Sequence, residues 1–148
     1  MKNIMRLAVA AGIMMLLILS NVDASGRELA IVTNKNYPLD SITANSAKEI
    51  YLGEKLTEGR VKIKPMENSD DELYNKFIEN VMESTIGKYK AHWIKKVFQD
   101  GTIPPVKNNS SAEILKLIAK VSGGIGYVWA DEVKGDDVKV ILKVVVGN

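Results

Sequence analysis

Strand-like and helix-like segments alternate along this chain, and that alternation restricts the fold more than any other feature. Apolar runs rich in β-branched residues, or runs with period two, predict strands at residues 28–33, 60–64, 123–130 and 138–146. Stretches with apolar residues at helical spacing lie between them, in the order strand, helix, strand, three helices, strand, strand. Because each element must bury its apolar side against another, the pattern predicts an α/β fold. We expect a sheet of about four strands covered by helices.

Capping sequences mark where the predicted helices begin. The pairs that fit a capping box are Ser46 with Glu49, Ser69 with Glu72, and Ser110 with Glu113. For the first helix, Ser41 and Thr43 are alternative starting points, and Gly53 is the predicted stop. In the third helix, Tyr89 and Trp93 belong to an apolar stripe at helical spacing.

The first residues have the pattern of a secretory signal. Lys2 and Arg6 form a short positive segment, and residues 7–19 are an unbroken apolar run. Val22 and Ala24 occupy the small-residue positions before a cleavage site. The apolar run is shorter than a membrane span requires, so cleavage is the prediction and an uncleaved anchor the alternative. The mature protein is then periplasmic or secreted, with no membrane span.

Residues 25–148 are predicted to form one domain after removal of the signal peptide, residues 1–24. No low-complexity linker divides them. The chain has no cysteine, which excludes disulfides and thiolate chemistry. Its 20 basic and 18 acidic residues nearly balance, which gives no reason to expect a nucleic acid as partner. No cofactor motif is present, and the three glycines of "GGIGYV" are predicted to serve a helix stop and a tight turn.

Four segments together resemble a known family. They are "SITANSAKEIYLGE", "VKIKPMENSDDELYNKF", "YKAHWIKKVFQDGTIPP" and "GGIGYV". In order and spacing they resemble the phosphate-binding proteins of ABC phosphate-uptake systems, and particularly their small single-domain relatives. The resemblance covers about residues 28–133. It implies one lobe of the type II periplasmic-binding fold, and a binding function without catalysis.

The phosphate-binding motif of that family is altered in this sequence. In full-length members the loop before the helix reads Ser-Gly-Thr and an arginine soon follows. The corresponding residues are Ser69, Asp70 and Asp71, and the predicted helix contains no arginine. Two carboxylates at a helix start neutralise its dipole and repel an anion. Lys62 and Lys64 are the nearest cations in sequence. The resemblance therefore implies a degenerate site for phosphate or another small oxyanion, in which only Ser69 carries over.

The loop after the first strand is expected, by the same resemblance, to face this cleft. Asn34 and Asn36 are candidate donors to the oxyanion. Asparagine in a loop after a strand also serves turn chemistry, which is the alternative reading of both residues.

A basic stripe is predicted on the third helix. Its members are Lys88, His92, Lys95 and Lys96. Such a stripe suits an acidic protein partner or an anionic group, although a solvated face is the alternative. His92 is the only histidine, and no acidic residue within a helical turn orients it, which argues against a catalytic triad and an enzyme.

Two functional hypotheses follow. The first is an exported, non-catalytic binding module with a degenerate oxyanion site. The second is a protein-interaction or assembly component, or a self-associating one, that kept the fold and lost the ligand. An acidic cluster at Glu67, Asp70, Asp71 and Glu72 lacks the spacing of a calcium loop, so no metal is expected.

Overall fold

The computed structural model describes residues 26–147, so the predicted signal peptide lies outside the described residues. The elements in chain order are β1 (Arg27–Asn34), α1 (Ala44–Tyr51), β2 (Thr57–Glu58), β3 (Val61–Lys62), β4 (Lys64–Asn68), α2 (Asp71–Asn80), α3 (Ile86–Asp100), β5 (Val106–Asn108), α4 (Ser111–Lys120), β6 (Gly124–Trp129) and β7 (Val138–Val146). A short 3-10 turn, Ala130–Glu132, follows β6. None of the helices within residues 26–147 has the length and apolar character needed to cross a membrane.

Five strands form the main sheet, in the spatial order β5, β4, β6, β1, β7. Strand β4 runs parallel to β5 and β6, whereas β1 runs antiparallel to both β6 and β7. Consequently β5, β4, β6 and β7 share one direction and β1 opposes them. The predicted mixed α/β fold is confirmed, with five sheet strands where about four were expected. Because parallel neighbours need long crossovers, helices link β4 to β5 and β5 to β6.

Helices cover both faces of the sheet. On one face α1, α2 and α3 pack over Leu29, Ile31 and Tyr127, and on the other α4 packs over Ala30 and Val32. Successive residues of β1 therefore point into different cores. A strand buried on both faces has a continuous apolar sequence and no alternation, which is the pattern seen in β1.

Aromatic packing fixes α2 against the sheet. The rings of Phe77 on α2 and Tyr127 on β6 are stacked, with centroids 3.9 Å apart and an angle of 4° between planes. Tyr51 of α1 meets both rings edge-on. Such pairs contribute about 0.5–1.5 kcal/mol beyond the burial of their area. This packing holds the N-terminus of α2 at the end of β4.

The glycines predicted to serve a helix stop and a tight turn lie between α4 and the first residues of β6, where neighbouring groups approach closely. Gly123 has φ +76°, and a Cβ there would lie 1.9 Å from the carbonyl oxygen of Lys62. A Cβ on Gly126 would lie 2.7 Å from Cγ2 of Ile114. Gly123 therefore lets the turn after α4 lie against β3, and Gly126 lets α4 lie directly on β6.

The strand predicted at residues 60–64 is wrong in its bounds. Strand β3 pairs with β2 in a separate two-stranded ladder, and the sheet strand β4 begins at Lys64. Proline normally argues against an interior strand because it lacks an N–H group, so the local sequence does not favour a strand that continues through Pro65. Strand β5 was missed because it has three residues and follows two prolines.

The cap of α2 also differs from the prediction. Asp70, not Ser69, is the N-cap, and its carboxylate accepts a hydrogen bond from the N–H of Leu73 at 2.9 Å. The N–H of Ser69 donates to the carbonyl of Asn108 at 3.0 Å. Since Ser69 is tied to the end of β5, the helix begins one residue later.

The other helix boundaries follow the sequence more closely. Thr43 is the N-cap of α1, which selects one of the predicted alternatives over Ser46. Ser110 caps α4 as predicted. Gly53 follows the C-cap of α1 with φ +69°, so the predicted stop is confirmed.

Candidate functional site

The carboxyl ends of β4, β5 and β6 meet at one edge of the sheet. We call the residues 68–71 and 108–111 at this edge the carboxyl edge. Helices α2 and α4 both begin there, directly after β4 and β5. In open sheets of parallel strands, ligands bind outside the carboxyl ends of the strands. This topology makes the carboxyl edge the candidate site.

The N-terminus of α2 is capped by its own side chains. Asn68 accepts a hydrogen bond from the N–H of Asp70 at 3.0 Å, and Asp70 accepts from Leu73. The N–H groups of Asp71 and Glu72 have no intrahelical acceptor, because a helix leaves its first donors free. Their own carboxylates are exposed in the same turn. Any anion approaching these donors meets three negative side chains.

The N-terminus of α4 is built differently. The Ser110 hydroxyl accepts from the N–H of Glu113 at 3.1 Å, and the Glu113 carboxylate accepts from the N–H of Asn109 at 2.8 Å. The helix leaves the N–H groups of Ser111 and Ala112 without an intrahelical acceptor. The N-terminus of α4 thus carries one carboxylate, that of Glu113, whereas the N-terminus of α2 carries three.

A buried asparagine joins the two helix starts. Asn68 is fully buried, and its Nδ2 donates to Oγ of Ser111 at 2.8 Å and to the carbonyl of Tyr127 at 3.3 Å. Asn68 and Ser111 were not among the predicted site residues. The sequence offered no direct signal for this pair, because the strand before α2 was predicted with the wrong bounds and β5 was missed.

Asn34 and Asn36 do not join this site. Strand β1 opposes β4 and β6, with Thr33 beside Ile125 and Leu29 beside Trp129, so Asn34 lies at the other end of the sheet. These two residue pairs are about 13 Å apart along the strands, at about 3.3 Å per residue. The expectation that the loop after β1 shares a cleft with Ser69 is therefore wrong.

The side chain of Asn34 already has partners. Its Nδ2 donates to the carbonyls of Ile118 and Ala119 at 2.9 and 3.1 Å, and its Oδ1 accepts from the N–H of Asn36 at 2.9 Å. Asn34 thus caps the C-terminal turn of α4 and closes a turn of its own. These contacts agree with the turn reading of both asparagines.

The two lysines nearest to Ser69 in sequence are also displaced from it. Lys64 is in register with Gly124, the first residue of β6, and Lys62 precedes it in β3. Both lie toward the amino ends of the parallel strands. The carboxyl edge therefore lacks these cations, although the sequence places them within a few residues of the site.

The predicted basic stripe on α3 is divided by the fold. Lys88 and Lys95 are exposed, but the Nε2 of His92 lies 2.9 Å from the carbonyl of Leu52. Lys96 lies 3.4 Å from the carboxylate of Asp100. His92 is thus part of the contact between α1 and α3, and two residues of the stripe face solvent freely.

The predicted acidic cluster is separated as well. Glu67 points toward α3, where the hydroxyl of Tyr89 donates to its Oε1 at 2.8 Å. Residues Asp70, Asp71 and Glu72 stand at the start of α2. Within residues 26–147 no three acidic or histidine side chains are placed to share a metal ion.

Comparison with solved structures identifies the fold. The chain is similar to an ABC-type phosphate transport receptor from Vibrio cholerae, at 16% identity and a TM-score of 0.53, over 80% of this chain and 46% of that one. It is similar to a putative phosphate ABC transporter substrate-binding protein from Clostridium perfringens with bound phosphate, at 20% identity and a TM-score of 0.53, over 80% of this chain and 45% of that one. It is also similar to PstS from Borrelia burgdorferi, at 15% identity and a TM-score of 0.59, over 80% of this chain and 50% of that one.

These likenesses concern half of each known protein. The chain spans about half the length of the phosphate-binding proteins that it matches. No family model matches the sequence, and no curated protein sequence matches it. The predicted resemblance to phosphate-binding proteins of ABC transporters is confirmed at the level of fold, as a five-stranded mixed sheet flanked by helices that matches a single lobe.

Proposed function

We propose that this chain is an exported, non-catalytic binding module that holds a small oxyanion, of the phosphate class, at the carboxyl edge. The observation that carries the proposal is the fold, which is shared with three phosphate-transport proteins, one of them with bound phosphate. Export, to the periplasm or out of the cell, rests on the predicted signal peptide of residues 1–24.

Two helix N-termini at one edge supply the donors. Free backbone N–H groups and the positive ends of the dipoles of α2 and α4 converge where β4 and β5 end. Ser69 and Ser110 add hydroxyl groups beside them. An oxyanion needs several donors pointing at one place, and Asn68 holds the two helix starts in that arrangement.

The binding is weak in this proposal, for an electrostatic reason. Asp70 occupies the N–H of Leu73, and Asp71 and Glu72 extend the negative charge. A pair of unit charges 4 Å apart in water repels by about 1 kcal/mol, so a dianion near several carboxylates loses much of its affinity. The described residues supply one wall of the site, since they match half of each relative.

The proposal assigns no catalysis. The contact of His92 with the carbonyl of Leu52 places the chain's only histidine on α3, in a helix-packing role. A general base must lie within hydrogen-bond reach of the group it serves. The residues that meet at the carboxyl edge are serines, asparagines and carboxylates that cap helices.

Isothermal titration of residues 25–148 with phosphate, with sulfate as the comparison anion, tests this function. We expect saturable heat with phosphate at millimolar concentration, reduced in Ser69→Ala. Asp71→Asn removes a charge that does not serve as the cap, so it should tighten phosphate binding about fivefold, or by about 1 kcal/mol. Glu79→Gln is the matched control, since Glu79 is exposed near the other end of α2.

The outcomes separate clearly. Tighter binding by Asp71→Asn, with Glu79→Gln unchanged, supports an anion site at the carboxyl edge. Absence of phosphate heat from both the parent and Asp71→Asn would refute the proposal, because the removed charge is then not what prevents binding.

A further inference from the structure

A groove beside the sheet's carboxyl edge opens between α2, α3 and the segment that leads into β5. Its volume is about 560 Å³, which lies within the range of small-molecule sites, about 300–1,000 Å³. Tyr74 of α2, Trp93 and Ile94 of α3, and Pro104 and Pro105 supply apolar walls. Asp71 is the one lining residue that also belongs to the carboxyl edge.

A half-buried carboxylate lines the groove. Glu67 comes from β4, and its Oε1 accepts the hydroxyl hydrogen of Tyr89 at 2.8 Å. Burial raises the pKa of the Glu67 carboxyl, whereas that hydrogen bond and the charges of Lys107 and Lys90 lower it. Within residues 26–147 no cationic nitrogen lies within 4.0 Å of Glu67. Because a charge partly removed from water is costly and the two lysines act on it only from beyond 4.0 Å, this carboxylate favours a closer cationic partner.

Two lysines line the same groove. Lys107 is in register with Glu67 on the adjacent strand, and its Nζ lies 5.9 Å from the ring centroid of Tyr74. Lys90 projects from α3. Neither ammonium group has a carboxylate oxygen within 4.0 Å in the part of the chain that the structure describes.

We propose that this groove binds a small zwitterion with an apolar or aromatic side chain, of the class of the free amino acids. The ammonium group of the ligand pairs with Glu67, and its carboxylate pairs with Lys90 and Lys107. The side chain of the ligand packs against Trp93 and Pro104. Electrostatic complementarity of this kind sets which ligand a site accepts.

Other charge classes fit the groove less well. A simple organic cation would be attracted by Glu67 and the aromatic rings, but repelled by both lysines. A simple anion would be attracted by the lysines and repelled by Glu67 and Asp71. A zwitterion satisfies both signs at once, and the apolar walls give its side chain a place to be buried.

The test compares three ligands that differ in one charge each. The probes are L-phenylalanine, L-phenylalaninamide, which lacks the carboxylate, and N-acetyl-L-phenylalanine, which lacks the ammonium group. Isothermal titration of residues 25–148 should give saturable heat with phenylalanine in the millimolar range. Each singly charged analogue should bind at least about tenfold more weakly, since each leaves one protein charge unpaired.

Two variants locate the site. Glu67→Gln keeps the shape of the side chain and an oxygen acceptor for Tyr89, so the fold should persist, and phenylalanine affinity should fall at least about tenfold. Glu79→Gln changes the charge equally at an exposed position outside the groove and should bind like the parent. Circular dichroism checks that both variants are folded.

Three results would each overturn the inference. They are no heat with phenylalanine at about 10 mM, equal binding of phenylalanine and its two analogues, and unchanged affinity in Glu67→Gln. The inference does not depend on the oxyanion function, because Ser69 does not line the groove. Phenylalanine binding by Ser69→Ala should therefore match that of the parent chain.

Discussion

Replacing Asn68 with alanine removes the side chain that connects the starts of α2 and α4. Three hydrogen bonds disappear, namely those with Oγ of Ser111, the carbonyl of Tyr127 and the N–H of Asp70. Asn68 is fully buried, so water does not readily replace them. With about 1 kcal/mol for each bond, we expect the free energy of unfolding to fall by about 3 kcal/mol. That is a large share of the roughly 5–15 kcal/mol by which domains are stable.

Urea unfolding followed by circular dichroism and tryptophan fluorescence measures the loss. For small proteins the slope of stability against urea is about 1–3 kcal/mol per molar. The midpoint of Asn68→Ala should therefore fall by about 1–3 M with an unchanged slope. In a thermal scan the same loss corresponds to a decrease in Tm of about 10 °C.

Asn34→Ala provides a matched comparison at the opposite end of the sheet. Asn34 is buried and also makes three hydrogen bonds, with Ile118, Ala119 and Asn36. Its loss should cost a similar free energy of unfolding. The two variants should differ in phosphate binding, which we expect to weaken in Asn68→Ala alone.

An unfolding midpoint of Asn68→Ala within about 0.3 M of the parent would refute the reasoning. Such a result would mean that the contacts of Asn68 do not stabilise the carboxyl edge. Equal weakening of phosphate binding in both variants would separately refute the placement of the oxyanion site, because Asn34 lies at the far edge.

Three further predictions each use a single residue. Gly126→Ala should lower the free energy of unfolding by about 1–3 kcal/mol, because a Cβ would lie 2.7 Å from Ile114. Gly87→Ala, in α3 with nothing within 4 Å of a Cβ, should raise it by about 0.5–1 kcal/mol, and urea unfolding measures both. Burial, with the charge of Glu58 as a second cause, raises the pKa of Tyr37 to about 12. Folding therefore favours the neutral phenol of Tyr37. Its contribution to the free energy of unfolding is fully present below pH 10 and is lost as the pH rises to about 12. Over that pH window, Tyr37→Phe should lose stability less steeply than the parent chain.

Local sequence signals located most elements of this fold. Helices α3 and α4, strands β1, β6 and β7, and the glycine stop after α1 lie where periodicity and capping place them. These features depend on residues within one or two turns of each other, which a sequence displays directly. The signal peptide at residues 1–24 stays a prediction.

The errors occurred where a distant partner decided a local structure. Ser69 would cap α2 if the segment were isolated, but its N–H is held by Asn108 at the end of β5. Pro65 lies inside a sheet strand because β6 pairs in parallel with β4 at this residue, and β5 pairs with the residues that follow it. Strand β5 itself is too short to show a period, and pairing with β4 defines it.

The sequence by itself determined the α/β class, the positions of most helices and strands, and the residues that carry charge. Tertiary structure alone decided the strand order and directions, which separate Asn34 from Ser69 and bring Asn68 to Ser111. It also assembled the groove from β4, α2, α3 and the approach to β5. The physical reason is that strand pairing and helix packing join residues tens of positions apart. Local periodicity contains no information on which edge of the sheet a loop will share.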